Sequence, residues 1–151
     1  GGTDAINIVY VLDSTVPAAA VPAFAAAEAY IESKFSDPIT VTVTVTFQSL
    51  SPGVLGGTGS SYTSATWAAS RTGFVGGMDA NDTIQSSLPT TSTIPVRYNG
   101  NSSTVTNETR MFWTRANYNA TVGSVSGNAA SMTYSTNFTF DYDPSNGVGS
   151  Y

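Results

Sequence analysis

The run FTFDYDPSNGV places Asp141, Asp143 and Ser145 at alternate positions, with Gly147 two residues further on. Alternating oxygen ligands ahead of a turn glycine suit a hard cation such as calcium. Two features depart from the EF-hand spacing: Gly147 arrives one position late, and no bidentate Glu follows. The same spacing suits a turn in which an Asp side chain accepts from the backbone two residues on. The expectation is an Asx-type turn and no cofactor, with calcium the one cation these residues suggest.

The other chemistry legible in the residues is modification. Five Asn-X-Ser/Thr sequons occur, at Asn81, Asn101, Asn107, Asn119 and Asn137. A sugar on any of them would supply hydrophilic surface to a chain in which only 10% of residues are charged, against about 25% in typical domains. Five aromatics, Tyr62, Trp67, Tyr98, Trp113 and Tyr118, have the type that stacks on sugar rings, although aromatics more often fill cores.

Catalytic residues are not expected. The chain has no His and no Cys, which removes the usual general base and any thiolate ligand. Ser and Thr abound, but an unassisted hydroxyl is a weak nucleophile and no base partner is evident. GGTGSS is similar to a phosphate-cradling loop, yet no Lys follows it, so 51–62 is expected as a Gly/Ser-rich loop. The net charge of -5 argues against nucleic acid. No apolar run is long enough to cross a bilayer, so membrane insertion is not expected. Low charge with many Ser, Thr and Asn suits an extracellular or cell-surface protein.

These groups need elements to hold them. The length of 151 residues suggests one domain, 1–151, with a flexible tail at 145–151. INIVYVL reads as a buried strand, and Ala23–Phe35 as a helix with Phe24, Ala27, Ile31 and Phe35 on one face. ITVTVTVTFQSL alternates strictly, with Val41, Val43, Val45 and Phe47 on one side and four Thr on the other. Those Thr read as an ordinary solvated face rather than an ice-binding ladder, because one strand is no repeat array. A short helix or an aromatic anchor at Ser64–Ser70 around Trp67, a short helix from Asp79 to Leu88, an edge strand at Thr93–Tyr98, a strand at Val105–Trp113, a helical turn at Arg115–Ala120 and a last long strand at Ala130–Asp141 complete the reading. The expected class is α+β: a mixed, mainly antiparallel sheet with one principal helix on one face.

Taken together, INIVY, VPAFAAAEAYIESKF, SDPITVTVTVTFQSL, GVLGGTGSSY, LPTTSTIPVRYNGNSSTVTNETRMFWTRANYNA and FTFDYDPSNGV resemble the N-terminal half of a secreted zinc metalloprotease-like family. Members occur in environmental bacteria and often carry a PEP-CTERM sorting tail. The resemblance implies a metzincin-like N-terminal subdomain, followed in the family by a helix bearing His-Glu-x-x-His. Nothing here matches that motif, so no residue inherits a catalytic role. It also implies that the missing helix would have covered part of the sheet.

A sheet without that cover exposes apolar surface and unpaired edges, both of which attract partners. The leading expectation is therefore a non-catalytic, secreted, glycosylated structural subunit whose partners are copies of itself, in a filament or surface layer. The alternatives are the N-terminal fragment of a zinc metalloprotease and a carbohydrate-binding or adhesion module.

Overall fold

The computed structural model describes residues 5–97, 104–143 and 145–147. Among them, eight strands and three α-helices form an α+β, β-rich fold in which three of the five strand ladders are antiparallel. Within a length expected to make one domain, the chain gathers into two compact units, one of Gly1–Ser61 with Gly127–Tyr151, the other of Tyr62–Ser126.

The first unit is built on a four-stranded sheet of order β1-β2-β8-β3. Strand β1 (Asn7–Leu12) lies parallel to β2 (Thr40–Gln48), and β2 lies parallel to β8 (Ala130–Ser135). Strand β3 (Gly56–Ser60) runs antiparallel to β8 at the far edge. Register aligns Tyr10 with Val43 and Leu12 with Val45, then Val45 with Met132 and Phe47 with Tyr134. Because alternate side chains share a face, one face is apolar across β1, β2 and β8. Val43, Val45 and Phe47 are buried on it, as their alternation predicts. Burying side chains of this size contributes about 1.5–3 kcal/mol each.

Helix α1 (Val21–Glu32) lies over that face. Pro22 sits in its first turn, where a missing N–H costs nothing, and the alanines that follow are strong helix formers. Phe24 meets Tyr10 at 5.3 Å and Tyr134 at 5.9 Å between ring centroids. The helix stops at Glu32, so Phe35 is not on its apolar face and is exposed. Opposite, Thr42, Thr44 and Thr46 are half-buried and Val9 and Val11 exposed, so the second face is less open at the Thr ladder than a solvated face.

At the end of β1, Asp13 ties three segments together. Its Oδ1 accepts from the Thr15 hydroxyl and N–H, and its Oδ2 accepts from Thr46 Oγ1 at 2.8 Å. Thr15 Oγ1 in turn accepts from Phe47 N at 2.8 Å. The Thr15 hydroxyl, then Thr46, holds the Asp13 carboxyl below its usual 3.8. A depressed folded-state pKa stabilises the fold above the unfolded value and ceases to do so as pH falls through the depressed one. Asp13→Asn is expected to lower stability at neutral pH, with the gap to wild type closing in acid below 3.8. Urea melts across that window check it, and a gap independent of pH would refute the assignment.

The second unit pairs β4 (Tyr62–Thr66) with β7 (Arg110–Thr114) and β5 (Ile94–Arg97) with β6 (Val105–Glu108), both antiparallel. Each strand of the first pair runs straight into a helix. Thr66 caps α2 (Trp67–Gly76) by accepting from Ala69 N, and Thr114 caps α3 (Arg115–Thr121) by accepting from Asn117 N. Such caps contribute about 1 kcal/mol each. Trp67 and Trp113 fill the core, where Trp113 Nε1 donates to the buried Ser70 hydroxyl at 3.0 Å and Trp67 Nε1 to Pro89 O at 3.1 Å.

Several expected elements are corrected. The 51–62 loop contains β3, and Tyr62 opens β4. A strand of GGTGS has no side-chain alternation to read, yet β8 supplies its hydrogen bonds. Val105–Trp113 is two strands, divided at Thr109, whose carbonyl accepts from Trp67 N at 2.8 Å. The last strand ends at Ser135 rather than Asp141, because Ser135 Oγ accepts from Asn137 N and Asn137 Nδ2 donates to Leu50 O, which turns the chain. Between Asp79 and Leu88 only a 3-10 turn forms, at Ile84–Ser87. Asp79 instead closes its own turn by accepting from Asn81 and Asp82 N–H groups. The tail beyond Gly147 lies outside the described residues.

Candidate functional site

The first unit offers three features able to engage a partner: the two edges of its four-stranded sheet and one aromatic pocket. At the β3 edge, Ser61 N donates to Ala129 O and Ser135 N to Leu55 O, each at 2.8 Å. Antiparallel pairing alternates, so Leu55, Gly57, Gly59 and Ser61 face β8. Gly56, Thr58 and Ser60 turn their backbone N–H and C=O outward, and no strand among the described residues pairs with them. All five residues of β3 are exposed.

The β1 edge is different. Asn7 N donates to Ile39 O and Asp13 N to Val45 O, which turns Ile8, Tyr10 and Leu12 outward. Glu32, at the end of α1, reaches across and accepts from Ile8 N at 2.8 Å. The helix thus satisfies one outward donor of β1, and no side chain among the described residues does the same for β3.

Between α1 and the segment after β8 lies a pocket of about 220 Å³. Tyr10, Phe24, Phe47, Tyr134, Phe140 and Tyr142 line it, and Asp141 is its one charged group. Phe47 stacks on Tyr134 at 5.2 Å, and Phe140 stands edge-on to both, at 6.3 Å and 5.8 Å. Burial, with smaller effects from Tyr134 and Glu28, raises the Tyr10 hydroxyl above its usual 10.0. Sequence reasoning missed this pocket. Its signal is the apolar spacing of Phe140 and Tyr142, at and just past the end of the strand expected over Ala130–Asp141; both pack on the sheet from a non-strand segment.

The proposed calcium residues form consecutive turns. Asp141 Oδ1 accepts from Asp143 N at 2.9 Å, and Asp143 Oδ1 accepts from Ser145 N at 2.9 Å and Ser145 Oγ at 2.6 Å. The Ser145 hydroxyl holds the Asp143 carboxyl below its usual value. Among the described residues no group of three or more His, Cys, Asp or Glu converges as a metal site.

The sequons separate by what their carboxamides do. Asn119 clamps the end of α3 to Val125, donating to its carbonyl at 3.1 Å and accepting from its N–H at 2.8 Å. Asn137 donates to Leu50 O at 2.8 Å and accepts from Ser49 Oγ at 3.1 Å. Asn81 and Asn107 are exposed, and their carboxamides make no hydrogen bond among the described residues. Asn101 lies outside those residues, as does Tyr98. Of the aromatics considered for sugar stacking, Trp67 and Trp113 are core residues, which removes them from any platform; Tyr62 is exposed and Tyr118 half-buried.

No family model, curated protein or solved structure matches the chain.

Proposed function

We propose that this chain is a non-catalytic, secreted structural subunit that assembles with copies of itself through the edge strands of its four-stranded sheet. The observation that carries this reading is the β3 edge. It holds no charged residue, no Pro and no bulge, the devices that natural edges use against pairing. Its side chains are hydrogens, a threonine and a serine, so an incoming strand meets backbone alone. The sheet's other edge leaves the outward backbone groups of Tyr10 and Leu12 for pairing. A contact between unlike edges is head-to-tail, and unless its rotation closes a ring it propagates. Sparse charge supports the reading, because few like charges oppose close approach. Sugar on Asn81 and Asn107, whose carboxamides are free, would keep the remaining surface hydrated.

Electron microscopy of the native material is expected to show ordered filaments or layers. Thr58→Pro deletes one outward donor and sets a ring against the incoming strand, while every N–H that faces β8 stays in place. It is expected to abolish assembly without changing the circular dichroism spectrum. A wild-type chain that stays a monodisperse monomer at high concentration would sink the proposal.

A further inference from the structure

The most exposed large apolar side chain among the described residues lies in the second unit. Phe112 is 81% exposed in β7. Its cross-strand partner is Ser64, too small to cover it. Arg110, two residues earlier, lies on the same face of the strand. Ser64 fixes that guanidinium, accepting from Nε at 3.1 Å and from Nη2 at 2.9 Å on its hydroxyl, and from Nη2 at 3.1 Å on its carbonyl. No carboxylate is among those partners. β7 therefore presents an aromatic knob beside a positioned cation that pairs with no carboxylate among the described residues.

The first unit carries the complementary shape. Its pocket of about 220 Å³ falls below the 300–1,000 Å³ usual for drug-sized ligands. A dry cavity of about 150 Å³ already accepts benzene, so a phenyl ring fits this one. Aromatic walls favour an incoming ring through edge-to-face contacts. Asp141 is the one charge in the lining, and only its Oδ1 is engaged, by Asp143 N. An aromatic hole with a carboxylate at its lining matches an aromatic knob with a cation at its side.

We propose that Phe112 of one copy seats in the aromatic pocket of the next, with Arg110 set against Asp141. The inference rests on the self-assembly reading above and names a second contact for it. Knob and hole are different surfaces, so this contact is also head-to-tail and propagates when it does not close. An assembly with two independent contacts extends in two directions, which a single edge pairing does not achieve.

The test uses the full chain, with sedimentation and electron microscopy over a concentration series. Phe112→Ser is expected to raise the concentration needed for assembly at least about tenfold, the usual effect of losing a buried aromatic anchor. The fold should be unaffected, because the side chain touches little. Arg110→Glu and Asp141→Arg chains are each expected to assemble poorly alone and to co-assemble when mixed in equal amounts, since each then meets an opposite charge at both contacts. Rescue on mixing identifies a contact between copies. If Phe112→Ser assembles at the wild-type concentration, or the mixture gains nothing, the knob-and-pocket contact is wrong while edge assembly stands. If wild type does not assemble at all, the parent reading has failed and this inference with it.

Discussion

Replacing Phe47 by alanine is expected to cost about 3–5 kcal/mol, the range for truncating a buried aromatic. Phe47 is buried in the central strand of the sheet. It stacks on Tyr134 and meets the edge of Phe140, so its removal unsupports both neighbours and enlarges the existing pocket. The Tyr134 ring relaxes poorly into such a gap, because the strand that carries it is fixed by the ladder. Against a total stability of about 5–15 kcal/mol, the loss is large. Denaturant melts followed by far-ultraviolet circular dichroism measure it. A loss under about 1 kcal/mol would mean that these rings are not packed as described. Phe47→Leu keeps most of the volume and should recover more than half of the deficit.

Gly73→Ala sets two effects against each other. Gly73 lies inside α2, where alanine is intrinsically better by about 1 kcal/mol. Propensity alone therefore predicts a gain. A Cβ at this position would clash with Thr121 O and stand 3.0 Å from Thr121 C. Both are backbone atoms at the end of α3, so no side-chain rotation relieves the clash. Overpacking of this kind costs about 1–3 kcal/mol and forces the two helices apart. The steric term wins, and net destabilisation is expected. Thermal melts decide the sign. A more stable variant would show that α2 and α3 do not approach this closely. Gly76 offers the control, since a Cβ there meets nothing within 4 Å.

The parts of the fold that were legible are those in which side chains repeat. Strand β2 announced itself because Val and Thr alternate from Thr40 to Thr46, and α1 because Pro22 precedes a run of alanines. The segments at Trp67 and Arg115 read as short helical pieces, but their caps at Thr66 and Thr114 were not read, and α2 runs on to Gly76. What stayed hidden has a common cause. Strand β3 carries almost no side chains, so nothing in GGTGS distinguishes a loop from an edge until β8 lies beside it. The break at Thr109 is set by a backbone bond to Trp67, forty-odd residues away, and leaves no local trace. The end of β8 depends on Asn137, whose sequence signal was that of a sugar acceptor rather than a clamp. Of the candidate site, the edges were anticipated as a class, but not which edge is open. The pocket was not anticipated. Its residues come from β1, α1, β2, β8 and the segment beyond, and only the register unites them.

The chain's connectivity sets an order of events during synthesis. The residues of the second unit, 62–126, are interposed between β3 and β8 of the first. Strand β8 lies inside the four-stranded sheet and is the last of its four strands to emerge. The interposed unit is complete before it appears. Until then β2 has only β1 beside it, and β3 has no partner. Both elements wait for a contact across a long stretch of chain, the kind that slows folding. A nascent chain thus holds a finished hairpin-and-helix unit between two unfinished halves of a sheet. Its interval of greatest exposure to aggregation ends when residue 135 clears the ribosome.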